Sequence, residues 1–315
     1  MKLKLKFPLK TKASHQKTAG IMITSRGIAL AIVDHKHLVV RLVHAQFYPC
    51  GLIDHHAVLS DLAKRYKLSA IPCNFVLNPD EYQLLQVQKP QVDKQEMQAA
   101  LRWHIKDQID FHIDDVVLDF ITSPVDNMSL QVIAARKSII QEYVDLLLNS
   151  NCQLTSIDVA AQSARNLIDK VKSVSEGNSI GLLNLWDTSA KISVLLNHDL
   201  YINRLTNIGA ESLVTVSEDD IDSQSVIDAL AVELQRTFDY YESSSRQAAV
   251  NQLLIMSNTR PVAQLDEMIQ QRLGINCQII TLHNLGDLDI DVTMQTTDLP
   301  DACLMAIGGA LRTEH

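Results

Sequence analysis

The sequence predicts an α/β protein of two lobes, with a compact α+β unit inserted in the first. Three observations carry that expectation. Short runs rich in branched aliphatics form a β-meander near the start of the chain, and the same pattern restarts at residue 180 after a polar stretch. Apolar stripes at helical spacing follow each meander. With 315 residues and 46% hydrophobic content, the chain can bury two moderate cores.

Residues 1–17 hold Lys2, Lys4, Lys6, Lys10, Lys12 and Lys17, with Pro8 barring a continuous helix, and read as a flexible basic arm. Such an arm is either simply solvated or drawn to anionic lipid, at about 1 kcal/mol per basic residue near that surface. Lobe one is expected over 18–172. Ile21 to Val33, turning at Arg26-Gly27, and Leu38 to Val43 form an antiparallel meander. Asp54 to Tyr66 has helical spacing through Val58, Leu62 and Tyr66, and Cys73 to Leu77 is a strand ended by Asn78-Pro79. Met97, Leu101, Ile105 and Ile109 recur every four residues, placing one buried stripe on a helix from Lys94 to Ile109. Trp103 lies opposite that stripe, where it either packs on a neighbour or anchors a partner.

Paired strands at Val116 to Ile121 and Leu130 to Ala134, then a helix from Ser138 to Leu148, complete an inserted α-β-β-α subdomain over about 79–150. Ser156 to Leu167 reads as a small-residue helix, and 173–179 as a linker. Lobe two is expected over 180–315. Ile180 to Leu185, Lys191 to Leu196 and Leu200 to Arg204 restart the meander. A long helix from Ser223 to Ser243 carries Ile227, Leu230, Leu234, Phe238 and Tyr241 on one stripe. Leu253 to Met256 is a strand, Val262 to Leu273 a helix closed by Gly274, and Gln278 to Leu282 a strand. The last helix, Asp301 to Leu311, contains Gly308-Gly309, which mark close helix packing.

Composition excludes several function classes. Twenty-eight basic against 37 acidic residues give a net charge of −9, which opposes phosphate-backbone binding, so no nucleic-acid partner is expected. No apolar run approaches the roughly 20 residues that span a bilayer, and the lysine-interrupted start lacks the apolar core of a signal peptide, so a cytoplasmic location is expected. The five cysteines are scattered and never spaced Cys-x-x-Cys. Neither His55-His56 nor the His35-Lys36-His37 triplet has a carboxylate or thiol at metal-binding helical spacing, so no metal is expected.

Three segments match one family in order. They are Ala99-Ala100-Leu101-Arg102-Trp103 continuing to Ile109-Asp110-Phe111, then Ala134-Ala135-Arg136-Lys137, then Glu233-Leu234-Gln235-Arg236-Thr237-Phe238-Asp239-Tyr240-Tyr241. Together they resemble PilM, the actin-like protein of type IV pilus assembly, and within that family the MshI branch of mannose-sensitive haemagglutinin (MSHA) pilus biogenesis. The resemblance implies an actin-like fold of the FtsA/PilM, ribonuclease H-like type, consistent with the β-β-β-α-β order of the first lobe. It also implies a nucleotide cleft whose two β-hairpin loops each carry an aspartate and a glycine, so that backbone amides and Mg²⁺-bound water can approach phosphate.

Those loops are altered here. Where PilM-like proteins have Gly-Ile-Asp-Ile-Gly-Ser, this chain has Gly20-Ile21-Met22-Ile23-Thr24-Ser25, so Met22 replaces the carboxylate and Thr24 the glycine. In the second loop Asn184 replaces the aspartate and Trp186 stands in place of the glycine. The adenosine loop, expected to hold consecutive glycines, reads Ser257-Asn258-Thr259-Arg260-Pro261. A residual nucleotide cleft would comprise Ser25, Asn184, Asp187, Glu233 and Arg236, the aspartate serving only after a register shift. No catalytic residue and no cofactor are expected, with ATP binding the competing outcome.

What the resemblance implies instead is a non-catalytic scaffold at the inner face of the bacterial inner membrane. It would capture a short cytoplasmic peptide of a PilN-like subunit, with Arg102, Trp103 and Arg136 as candidate contacts. Fold packing and surface ion pairing are the competing explanations of those three residues. The alternatives are a nucleotide-binding ATPase of the same assembly and the actin-like part of a type II secretion system. Neither Gly-x-x-x-x-Gly-Lys, Gly-x-Gly-x-x-Gly nor Gly-x-Ser-x-Gly is present to support other nucleotide or acyl chemistry.

Overall fold

A computed structural model describes residues 16–36, 39–93, 95–122, 128–171, 179–196, 199–214, 221–257, 264–286, 288–291 and 301–312. The expected basic arm up to residue 15, most of the linker and the adenosine loop from Asn258 lie outside them. Lys17 opens the first strand and Ser179 the ninth, so neither belongs to an arm or a linker.

The chain begins with the meander β1 (Lys17–Thr24), β2 (Gly27–Asp34) and β3 (Val40–Pro49), then α1 (His55–Tyr66) and β4 (Pro72–Leu77). Next come β5 (Tyr82–Gln88), α2 (Met97–Ile105), β6 (Val116–Thr122) and β7 (Ser129–Arg136), followed by α3 (Lys137–Asn149), β8 (Gln153–Val159) and α4 (Ala160–Ile168). The second meander is β9 (Ser179–Leu185), β10 (Ala190–Leu196) and β11 (Asp199–Thr206). After it run α5 (Ala210–Val214), α6 (Ile221–Ser245), β12 (Gln252–Ser257), α7 (Leu265–Leu273), β13 (Asn276–Ile279), β14 (Leu288–Ile290) and α8 (Asp301–Ala310).

The described residues fall into two compact units, one drawn from Met1–Pro79, Ser138–Leu167 and Asp287–His315, the other from Asp80–Lys137 and Ile168–Gly286. In the first, a six-stranded sheet has the order β14-β3-β2-β1-β4-β8. Its meander is antiparallel and β4 and β8 run parallel to β1, so every residue of β2 and β4 is buried, as a sheet covered on both faces requires. On the meander's third strand, Tyr48 of β3 bonds both His44 at 2.9 Å and Tyr66 of α1 at 2.8 Å.

Helix α8 is apolar on nearly every side and lies against β1, β2 and β4. A Cβ on Gly20 would stand 1.8 Å from the Ala306 carbonyl oxygen, and one on Gly308 2.0 Å from that of Ser163, so the helix touches its neighbours backbone to backbone. Gly308-Gly309 thus serve packing. This placement corrects the expected second lobe of 180–315, because its final helix and β14, which pairs with β3 from Leu288 opposite Val40, complete the first sheet. A helix with no polar face needs cover all round, and these small residues fit only a surface equally free of side chains.

The second unit holds a five-stranded sheet ordered β11-β10-β9-β12-β13, with α6 and α7 burying Ile227, Leu230, Leu234, Phe238 and Ile269 in one core with Leu183, Leu185 and Ile255. It also holds a three-stranded antiparallel sheet ordered β5-β7-β6. Helix α2 covers one face of that sheet through Met97, Leu101 and Ile105. The predicted helix to Ile109 stops four residues early, and Ile109 still packs at the edge of this core from a turn. The insertion is therefore β-α-β-β, not α-β-β-α over 79–150. Helix α3 belongs to the first unit, where Tyr143 lies 4.4 Å from the Phe75 ring. On the sheet's other face Gln131 donates to the Leu200 and Tyr201 carbonyls of β11, and Tyr82 lies under Lys191, grouping the insertion with the second meander.

Candidate functional site

The β1–β2 hairpin turns at Ser25 and Arg26, both exposed. The Thr24 hydroxyl donates to the Gly27 carbonyl at 3.2 Å and accepts from the Arg26 amide at 3.3 Å, so it satisfies the turn itself. Asn78 donates to the Ile23 carbonyl at 2.7 Å, and the His55 ring bonds the Thr24 backbone while burial holds its pKa below the usual imidazole value. Met22 is 1% exposed, opposite Ala29 and beside Val76. The position of the expected carboxylate is therefore core, in keeping with a thioether's inability to order a metal's water shell.

A carboxylate does lie on this row of the sheet, and sequence reading missed it. Met22, Val76 and Asp158 stand in register across β1, β4 and β8, toward the carboxyl ends of three parallel strands, where open α/β sheets bind ligands. Asp158 is buried. It accepts from the Val159 amide at 2.9 Å and pairs with Arg312 at 3.3 Å. Burial raises its pKa against the pull of Arg312 and Arg165. Reading Ser156 to Leu167 as one helix hid it. The alternation of Ile157 and Val159 with Ser156 and Asp158 was the available strand signal.

In the second hairpin Asn184 is buried on β9, opposite Lys191 of β10 and Met256 of β12. Burial lowers the Lys191 pKa to about 8, with Asp80 acting the other way, and its ammonium stands 4.4 Å over the Tyr82 ring. The turn from Trp186 to Ser189 is latched onto the start of α5. The Trp186 amide donates to the Ser189 carbonyl at 2.8 Å, and the Trp186 and Asp187 carbonyls accept from the amides of Ala210 at 2.7 Å and Glu211 at 2.9 Å. A side chain on Gly209 would meet the Asp187 oxygen at 2.3 Å, so the contact requires glycine. Two backbone amides at a helix start, the groups that would cradle an anion, are thus occupied by the loop's own carbonyls.

Glu233 and Arg236 meet on α6, with Arg236 donating to Glu233 at 2.9 Å and Arg204 3.9 Å away, as a surface ion cluster. The structure thus pairs Asn184 with Asp187 on one hairpin and Glu233 with Arg236 on one helix, and places Ser25 in the other unit. Among the described residues no group of three His, Cys, Asp or Glu side chains is placed to hold a metal. No helix among them is long and apolar enough to cross a membrane.

The partner-side candidates separate. Arg102 donates to the Ile113 carbonyl at 2.9 Å, and the Arg136 guanidinium lies 4.9 Å over the Phe111 ring, so both hold the segment that follows α2. Trp103 is 75% exposed, with the Lys106 ammonium 5.6 Å from its ring. On the sheet face away from α2, register places Leu84, Val117, Ile121 and Ile133, all only half-buried, beside the exposed Asp119.

Paired sheets of this order, each opening on a hairpin, define an actin-like fold, and known structures agree. Residues 83–222 match the family described as type IV pilus assembly protein PilM, a stretch that includes α2, the inserted strands and the second meander. The structure of a PilM-PilN type IV pilus biogenesis complex superposes with a TM-score of 0.72 at 18% identity, over 93% of this chain and 97% of that one. The cytoplasmic domain of EpsL, an inner membrane component of the type II secretion system of Vibrio cholerae, gives 0.54 at 8% identity, over 95% and 96%. A Bacteroides thetaiotaomicron protein with an actin-like ATPase fold and unknown function gives 0.52 at 8% identity, over 87% and 93%. No curated protein sequence matches.

Proposed function

We propose that this chain is a PilM-like, non-catalytic adaptor of type IV pilus assembly, of the MSHA type. In this reading it captures the cytoplasmic peptide of a PilN-like inner-membrane subunit and works at the inner face of that membrane, with the basic arm adding contact to anionic lipid. The observation that carries the reading is a contrast between sites. Both hairpins expected to hold phosphate are closed by their own contacts, whereas the inserted sheet, inside the PilM-matching stretch, presents half-buried aliphatics on its face away from α2. Such a surface suits an extended apolar peptide, and Asp119 at its margin suits a basic residue on that peptide. The likeness to a PilM-PilN complex supports the same partner.

Titration calorimetry with cytoplasmic peptides of inner-membrane pilus subunits, and separately with Mg-ATP, tests it. Saturable peptide binding, weakened at least about tenfold by Ile133→Asp in a folded variant and left intact by Ser25→Ala, is the expected outcome. Failure of every such peptide to bind overturns the adaptor reading. Micromolar binding of Mg-ATP overturns the closed nucleotide site.

A further inference from the structure

Cys73 and Cys152 come together at the base of the first unit, although 78 residues separate them in the chain. Parallel pairing of β4 with β8, Pro72 opposite Gln153 and Cys73 opposite Leu154, sets the two cysteines diagonally across adjacent strands. Their side chains are close enough to perturb each other. Cys73 is fully buried and Cys152 nearly so. The Cys73 thiol also lies 3.2 Å from the Ile71 carbonyl.

We propose that Cys73 and Cys152 are an oxidisable dithiol that closes to a disulfide under hydroperoxides and thereby staples β4 to the α3–β8 turn. The roles of the two sulfurs are unequal. Interaction with Cys73 holds the Cys152 thiol below its ordinary pKa, while Cys73 is pushed well above its own by the same interaction and by burial. Cys152 is thus the sulfur that reacts first. Its thiolate attacks one peroxide oxygen, breaking the O–O bond to give a sulfenic acid and hydroxide. Cys73 then displaces the sulfenic oxygen as water, forming the S–S bond. Overall the thiols lose two electrons and two protons, and the peroxide becomes two waters.

The chain between these cysteines includes the whole inserted three-stranded sheet, so the bond would close a loop around the module assigned above to partner capture. The chemistry itself does not depend on that assignment. The test treats the folded full-length chain with hydrogen peroxide, blocks remaining thiols in denaturant and maps the tryptic peptides. The expected result is a Cys73–Cys152 cross-linked peptide, reversed by dithiothreitol, with a raised Tm before reduction. Cys73→Ser should leave Cys152 as a sulfenic acid that dimedone traps, and Cys152→Ser should abolish the cross-link. Recovery of both cysteines as blocked thiols while the half-buried Cys50 oxidises would overturn the proposal. So would a dimedone adduct on Cys73 in place of Cys152. Wild-type mapping decides the cross-link even if a variant fails to fold.

Discussion

The two principal sheets share one plan and differ in what presses on it. Each runs an antiparallel meander into two parallel strands, β3-β2-β1-β4-β8 in one and β11-β10-β9-β12-β13 in the other. Each inner meander strand carries a glycine four residues before its end, Gly20 of Lys17–Thr24 and Gly181 of Ser179–Leu185. Against Gly20 lies the backbone of α8, and against Gly181 lies the tip of the Phe238 ring, 2.7 Å from where a Cβ would stand. The first sheet is therefore held by a contact that cannot yield, and the second by a side chain that can. The hairpins differ likewise: one buries a thioether, Met22, in the apolar core, the other a polar amide, Asn184, opposite a lysine.

Substitution should separate the two halves, most strongly at the glycines. Gly20→Ala is expected to cost more than about 3 kcal/mol or to prevent folding, because the methyl must displace helix backbone, whereas Gly181→Ala should cost about 1 kcal/mol. Urea denaturation reads both, and equal losses would remove the distinction. At the hairpins, Met22→Asp buries an unpaired carboxylate and should cost on the order of 3–5 kcal/mol. Asn184→Asp should stay within about 1 kcal/mol of wild type, because Lys191 faces it across the strands. The Lys191 pKa should then rise from about 8, which chemical modification of the amine across a pH series would detect.

A smaller effect concerns the Asp158–Arg312 pair. Arg312 is partly exposed, so Arg312→Ala should cost about 2 kcal/mol at neutral pH, less than breaking a fully buried pair. Burial already raises the folded pKa of Asp158 above 3.8, and losing Arg312 raises it further. The folded variant then holds a proton that the unfolded chain releases, so its deficit should shrink as pH falls through the carboxylate range. A deficit independent of pH would assign the loss to packing. The smallest effect is expected at His44, where burial and Arg65 hold the pKa below 6.5. The unfolded chain takes up that proton first, so wild-type stability should fall as pH drops below 6.5, and His44→Gln should flatten the slope.

What was legible in the sequence was whatever depends on neighbours along the chain. The stripe from Ile227 to Tyr241 is a period of 3.6, and it specified α6 with its buried face. The two meanders were legible from aliphatic runs punctuated by turns. Strand β8 was not, because Ser156 to Val159 run directly into the start of α4, whose alanines favour a helix and mask the short strand before it. Strand β14, three residues long, carries too little pattern to be seen. At the sites, the methionine and asparagine at positions 22 and 184 were read from residue identity alone, since no packing turns methionine into a magnesium ligand.

The sequence by itself thus determined that this is an α/β chain built on two meanders, with an aromatic, arginine-bearing helix in its insertion. Only the tertiary structure decided that α8 and β14 return to the first sheet, that α5 latches the second loop, and that Arg312 neutralises Asp158. Each of those is a pairing between residues far apart in the chain. Composition can show that α8 must be buried on all sides, but which surface buries it depends on the match between Gly20 and Ala306, a matter of shape that appears only when the backbones meet.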